Sequence, residues 1–276
     1  MIFHNRAGMK LAADEAGDPG APPVVLLHGG GQTRHSWGTA VGVLGDAGFY
    51  ALTIDLRGHG ESDWAPDGKY GLDALSDDLQ DVLAQLPALP ALVGASLGGL
   101  TALLTVGASN TPIARALVLV DVVPQVEAEG AREIVGFMTA NPEGFASPAQ
   151  AADAVAAYLP HRPRPRDDGG LMKNLRLRED GRYYWHWDPR MLQGGSAIDA
   201  ADRGATLEQA AANVHIPTML IRGGRSRVVS LDGVKALQAQ IPSCEFVNIA
   251  EADHMVAGDA NDAFNAPLLA FLQRTL

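Results

Sequence analysis

Five short apolar runs constrain the fold of this chain more than any other feature: Val24–Leu27, Ala51–Ile54, Ala91–Val93, Leu117–Val120 and Thr218–Ile221. Each is bounded by Gly, Pro, Asp or charged residues and is too short to be a buried helix. Runs of this kind suit strands covered on both faces, the environment of a parallel sheet sandwiched between helices. Amphipathic stretches lie between them: Trp37–Ala47, Leu72–Leu86, Leu97–Ala108, Ser230–Gln240 and Asn261–Arg274. Strands that alternate with helices predict βαβ units and a mostly parallel central sheet flanked by helices, an α/β fold.

From about 124 to 215 the strand rhythm stops. Ala131–Thr139, Pro148–Tyr158 and Thr206–Asn213 read as helices, and His161–Arg166 is a proline-broken basic stretch. Leu175–Leu177 and Tyr183–Trp187 read as a small hairpin or a turn. The chain therefore divides into a core, residues 1–123 and 216–276, and a mainly helical insertion, residues 124–215. An insertion at the carboxyl end of a parallel sheet sits where such sheets bind ligands, so a cap over the site is expected.

Charge narrows the partners. Lys plus Arg number 21 and Asp plus Glu 32, giving a net charge of −11. An acidic chain is a poor nucleic-acid binder, because phosphates need a basic surface. The one cysteine, Cys244, rules out an intrachain disulfide and fits a reducing compartment. The first residues lack the basic and apolar regions of a signal peptide, and no apolar run approaches the length of a bilayer span. A cytoplasmic protein that does not engage a membrane is expected.

The chemistry begins at Gly94-Ala95-Ser96-Leu97-Gly98-Gly99, which follows an apolar run and opens a helical stretch. A serine on a sharp strand-to-helix turn is a nucleophile elbow, and glycines on either side let strand and helix approach closely. Upstream, Val24-Val25-Leu26-Leu27 leads into His28-Gly29-Gly30-Gly31. A glycine-rich turn after a strand frees N–H groups. Gly30 and Leu97 are the expected oxyanion donors. His28 is expected to hold the turn rather than act as a base.

With these segments on the page, the chain resembles the α/β-hydrolase superfamily. The resemblance rests on His28-Gly29 after the third strand, Asp55-Leu-Arg-Gly-His-Gly-Glu-Ser62 after the fourth, the Ser96 elbow, and Asp253-His254 near the end. It covers everything except the middle. It implies a serine nucleophile, Ser96, with His254 as base, and structural roles for Arg57 and His59. It disfavours epoxide-hydrolase and dehalogenase chemistry, which use a carboxylate where Ser96 stands.

The third member of the triad departs from the common pattern. Most relatives carry it after the strand that here is Thr218–Ile221, yet the following Arg222–Ser230 has no carboxylate and places Arg227 at the expected position. Asp121, at the end of the sixth strand, is the preferred acid. The resemblance to certain esterases, haloalkane dehalogenases and a zearalenone-lactone hydrolase supports that choice. Asp232, at the start of the next helix, and Asp199, in the insertion, are the alternatives.

Gly31, Arg34, His35 and Trp37 follow the oxyanion loop and are expected to border the substrate pocket. The aromatic run Tyr183–Trp187 suits either a pocket wall or the seat of a cap. Met138, Met172, Met191 and Met255 offer adaptable apolar surface. No His/Cys cluster has zinc spacing, and no dinucleotide or P-loop fingerprint occurs, so neither metal nor cofactor is expected. Together these readings predict a cofactor-free serine hydrolase acting on a small-molecule ester. Lactone opening, carbon–carbon bond hydrolysis, thioester cleavage and non-catalytic ligand binding on the same fold remain open.

Overall fold

A computed structural model of the chain describes residues 1–160, 169–192, 204–254, 256 and 261–276. The stretch His161–Arg166, Asp199 and Met255 lie outside these described residues.

The central sheet has eight strands in the order β1-β2-β4-β3-β5-β6-β9-β10. These are β1 (Ile2–His4), β2 (Lys10–Ala16), β3 (Pro23–Leu27), β4 (Tyr50–Ile54), β5 (Ala91–Ala95), β6 (Ala116–Val120), β9 (Thr218–Gly223) and β10 (Glu245–Ile249). β1 and β2 are antiparallel; every pair from β4 to β10 is parallel. All five expected strands form. Three more join them that are not among those five runs: the antiparallel N-terminal strands β1 and β2, and β10 at the opposite edge.

Alternating side chains divide the core between the two faces of the sheet. Val25 and Leu27 of β3, Leu92 of β5 and Leu117 and Leu119 of β6 face one cluster. That cluster also takes in α2 (Leu72–Leu83), α3 (Leu97–Ala108) and α7 (Leu231–Gln240). Val24, Leu26, Val93, Val118 and Val120 face the other, under α1 (Ala40–Asp46) and the C-terminal helix α8 (Asn261–Thr275). Every residue of β3, β4, β6 and β9 is buried, which is why these strands read as unbroken apolar runs.

Between β6 and β9 the chain forms α4 (Ala128–Thr139), α5 (Pro148–Tyr158), the hairpin β7 (Leu175–Leu177) and β8 (Tyr183–Trp185), and α6 (Gly204–Ala212). The hairpin pairs Leu175 with Trp185. α6 packs directly on α3. The Asn213 side chain donates to the Gly107 carbonyl at 3.1 Å, and a Cβ at Gly107 would fall on the Ala210 carbonyl.

Candidate active site

Ser96 sits between β5 and α3 with φ 45° and ψ −114°. The turn is possible because the elements around it meet backbone to backbone. A Cβ on Gly94 would lie 2.5 Å from the Gly99 nitrogen, and one on Gly98 would strike the Leu27 carbonyl. The Ser96 N–H donates to Val120 at 3.1 Å, and the Gly98 N–H donates to the His28 carbonyl at 3.1 Å. These bonds fix the start of α3 between β6 and the glycine loop. Gly29 lies against Ser96: a Cβ there would be 3.3 Å from the serine Cβ. Among the described residues the Gly30 and Leu97 N–H groups have no hydrogen-bond partner, as donors reserved for a ligand would not.

Asp121 follows β6 and also takes a positive φ, 48°. Its side chain is fully buried and its carboxylate has three partners. Oδ1 accepts the Gly223 N–H at 2.9 Å; Oδ2 accepts the Ser226 hydroxyl at 2.5 Å and His254 Nδ1 at 2.7 Å. Ser226 Oγ in turn accepts the N–H groups of Val228 and Val229 at 3.1 and 3.2 Å, which directs its hydrogen to Asp121. Ser226 therefore lies in the loop after β9, where the resemblance would place an acid, and buttresses Asp121, the acid expected instead. The neighbouring Arg227 turns outward to Glu129 and Glu133 of α4, at 2.9 and 2.6 Å. Asp232 is exposed and pairs with Lys235 one turn later at 2.8 Å.

Three buried histidines hold the glycine loop. His28 Nε2 accepts the Leu56 N–H at 3.0 Å, which leaves Nδ1–H to donate to the Gly29 carbonyl at 2.8 Å. His59 Nε2 accepts the Gly31 N–H at 3.1 Å, so Nδ1–H donates to the Arg57 carbonyl at 3.1 Å. His186, just past β8, accepts the Gly60 N–H on Nδ1 at 2.7 Å and donates from Nε2 to the Gly31 carbonyl at 3.3 Å. A backbone N–H fixes each tautomer, and all three rings are neutral. Burial lowers the pKa of each, that of His59 well below the usual value and that of His186 to about 3. With all six ring nitrogens bonded to backbone, the cluster has no lone pair to offer a metal.

One expected pocket residue lies elsewhere. Arg34 is not among the residues that line the cavity. Its N–H and guanidinium bind the buried Asp55 carboxylate at 2.6 and 2.5 Å, and the guanidinium also reaches Asp14 and Glu61. A buried carboxylate needs a partner, and Asp55 captures the nearest cation. Burial acts to raise the Asp55 pKa, but the neighbouring His28, the Arg34 and Glu61 N–H groups and the Arg34 charge together hold the carboxylate below its usual range.

Gly31, His35 and Trp37 do line a cavity of about 560 Å³, with Gly30, Ser96 and His254. The insertion supplies its far wall, including Phe137, Met138, Tyr158, Trp185 and Trp187. Phe137 stacks on Tyr158 at 4.3 Å and Trp185 on Trp187 at 5.1 Å, so the wall is largely flat and aromatic. Among the described residues Lys173 is the one permanently charged side chain in the lining. Of the three of these methionines among the described residues, Met138 lines the cavity, Met172 is exposed and Met191 is buried outside it. Sequence patterns pointed to neither Ser226 nor His186, since each matters only through a partner distant in the chain.

Comparisons with known proteins agree with this fold. The esterase Rv0045c of Mycobacterium tuberculosis is 34% identical over 247 residues, covering 87% of this chain and 78% of that protein. Its solved structure matches with a TM-score of 0.79 at 30% identity, over 99% of this chain and 92% of that one. The non-heme chloroperoxidase CPO-A1 of Kitasatospora aureofaciens is 29% identical, covering 91% of this chain and 92% of that protein. The structure of an E-2-(acetamidomethylene)succinate hydrolase superposes with a TM-score of 0.84 over 99% of both chains, and at 22% identity shows the shared fold. Residues 22–260 match the alpha/beta hydrolase fold family. With its parallel sheet and strand-to-helix serine turn, the chain belongs to the α/β-hydrolase fold family.

Proposed function

We propose that the protein is a cofactor-free serine hydrolase that cleaves a carboxylic ester of a small to medium, largely apolar substrate through an acyl-enzyme on Ser96. The observation that carries this reading is the Asp121–His254 pair, 2.7 Å apart, beside a cavity that both Ser96 and His254 line. With Nδ1 bonded to Asp121, the His254 Nε2 is the free base. It takes the Ser96 proton as Oγ attacks the carbonyl carbon, and Asp121 stabilises the imidazolium. The Gly30 and Leu97 N–H groups receive the oxyanion. Collapse of the tetrahedral intermediate expels the alcohol, protonated by His254. Water, deprotonated by the same nitrogen, then releases the acid and regenerates Ser96.

The aromatic wall supports an apolar substrate, and α4, α5 and the β7–β8 hairpin serve as its cap. α6 belongs functionally to the core, since it packs on α3. The test is hydrolysis of p-nitrophenyl esters of graded acyl length by the wild type and by Ser96→Ala. Turnover that disappears with Ser96 is expected, with an optimum at short to medium chains. A wild type that neither hydrolyses any ester nor reacts with a fluorophosphonate would favour the ligand-binding reading.

A further inference from the structure

Gly29, Gly30 and Gly31 have no side chains to orient their backbone, yet an oxyanion hole needs its N–H groups aimed to within a few tenths of an ångström. Hydrogen bonds do the aiming. Each peptide group is a rigid plane whose C=O and N–H point in opposite directions. The Gly30 N–H shares a plane with the Gly29 carbonyl, which His28 holds. The next plane carries the Gly31 N–H, which His59 holds. The plane after that carries the Gly31 carbonyl, which His186 holds. Three successive planes are thus held by three histidines, the third also by its Gln32 N–H, which donates to the Gly29 carbonyl at 3.1 Å. Two of the histidines come from the core and one from the hairpin of the insertion.

We infer that His186 is a positioning residue for the oxyanion hole, through which the seated cap hairpin sets the Gly30 donor; this rests on the hydrolase reading above. His186 is 1% exposed and bridges two core loops, taking the Gly60 N–H at 2.7 Å and giving its own proton to Gly31. The hairpin is anchored to the same turn at further points. The Arg176 guanidinium of β7 donates to the Gly60 carbonyl, the Asp188 N–H donates to the Gly58 carbonyl at 2.9 Å, and Tyr70 donates to the Asp188 carboxylate at 2.6 Å. In sequence His186 stands between Trp185 and Trp187, both in the cavity wall, and its ring meets the Trp187 ring edge-on at 5.3 Å. One element therefore shapes the pocket and stiffens the loop that stabilises the transition state. A cap that left its seat would take the third histidine with it, and the peptide after Gly31, at φ 72°, would keep only the Gln32 N–H bond to the Gly29 carbonyl, at 3.1 Å.

Two substitutions divide the two bonds of His186. In His186→Asn, the side-chain oxygen replaces Nδ1 toward Gly60 but cannot reach Gly31. In His186→Gln, the longer amide places an N–H near Nε2 and keeps the bond to Gly31. Ester kinetics are measured for both, with the binding of a trifluoromethyl ketone, whose adduct with Ser96 places an oxyanion in the hole. The corresponding alcohol, which forms no adduct, is the ground-state comparison. His186→Asn is expected to lower kcat by about 10- to 100-fold, part of the 10²–10³ that loss of a whole donor costs. KM and affinity for the alcohol should change by less than about threefold, and ketone affinity should fall with kcat. His186→Gln should remain within about fivefold of the wild type.

Equal losses in the two variants, or ketone affinity that tracks alcohol affinity, would overturn the inference. If His186→Asn does not fold, His186→Gln still tests the inference: loss of ketone affinity in that folded protein, which keeps the bond to Gly31, refutes it. A wild type that turns over no ester and forms no ketone adduct sinks the hydrolase reading itself. Turnover that both variants retain sinks only the role of His186.

Discussion

Ser96 and Asp121 are the two non-glycine residues with positive φ among the described residues, and they are the proposed nucleophile and acid. Each such conformation costs on the order of 1–3 kcal/mol and persists only where neighbouring bonds overdetermine it. At Asp121 those bonds come from Gly223, Ser226 and His254, all three of them donors to its carboxylate oxygens. Asp121→Asn keeps the volume but offers an N–H where His254 requires an acceptor. Its kcat should fall by about 10³–10⁴-fold with the fold intact by circular dichroism. Asp232→Asn, at an exposed ion pair with Lys235, should stay within about twofold in the same assay. The reverse ranking would move the acid to α7. Ser96, His254 and Asp121 are legible in the sequence because each follows a strand within a short recognisable segment. Ser226 is not, because a serine in a loop reads as a turn residue until the fold brings Asp121 to it. Arg34 misleads for the same reason: its partner Asp55 follows β4, 21 residues on, and a cation beside the oxyanion loop reads as a pocket residue.

At the scale of elements, the parallel strands and their helices are legible because burial on both faces leaves an uninterrupted apolar signature. α3 and α5 fall where periodicity places them, at Leu97–Ala108 and Pro148–Tyr158. β1 and β2 escape detection because they lie at the edge. β2, Lys-Leu-Ala-Ala-Asp-Glu-Ala, mixes exposed charge with small residues. The contact between α3 and α6 also leaves no periodic trace, since glycine and alanine carry it. Gly107→Ala should force the two helices apart at Ala210. The expected cost is about 1–3 kcal/mol, typical of an overpacked contact, seen as a melting temperature lower by several degrees with little change in KM. An unchanged melting temperature would show that the helices separate freely.

For the molecule as a whole, the neutral histidine cluster ties stability to acidity. His28, His59 and His186 have pKa values lowered by burial, while the unfolded chain takes up their protons near pH 6.5. Above that pH their contribution is complete. Below it the unfolded state binds protons that the native state refuses. Stability then falls by about 1.4 kcal/mol per pH unit for each ring, and for His186 this continues to about pH 3. Urea midpoints should therefore drop steeply between pH 6.5 and 4, and His186→Gln should flatten the slope by close to one proton. A variant with the wild-type slope would show that His186 takes up its proton in the folded state.

Moving the acid to β6 has a consequence for how the chain can be divided. β5, α3 and β6 are consecutive, so nucleophile and acid ride on one unbroken βαβ unit, and only the base arrives from a remote part of the sequence. A chain cut within the 124–215 segment keeps Ser96 and Asp121 together on the first fragment and leaves His254 alone on the second. Recovery of activity on mixing the halves would then report the docking of a single imidazole.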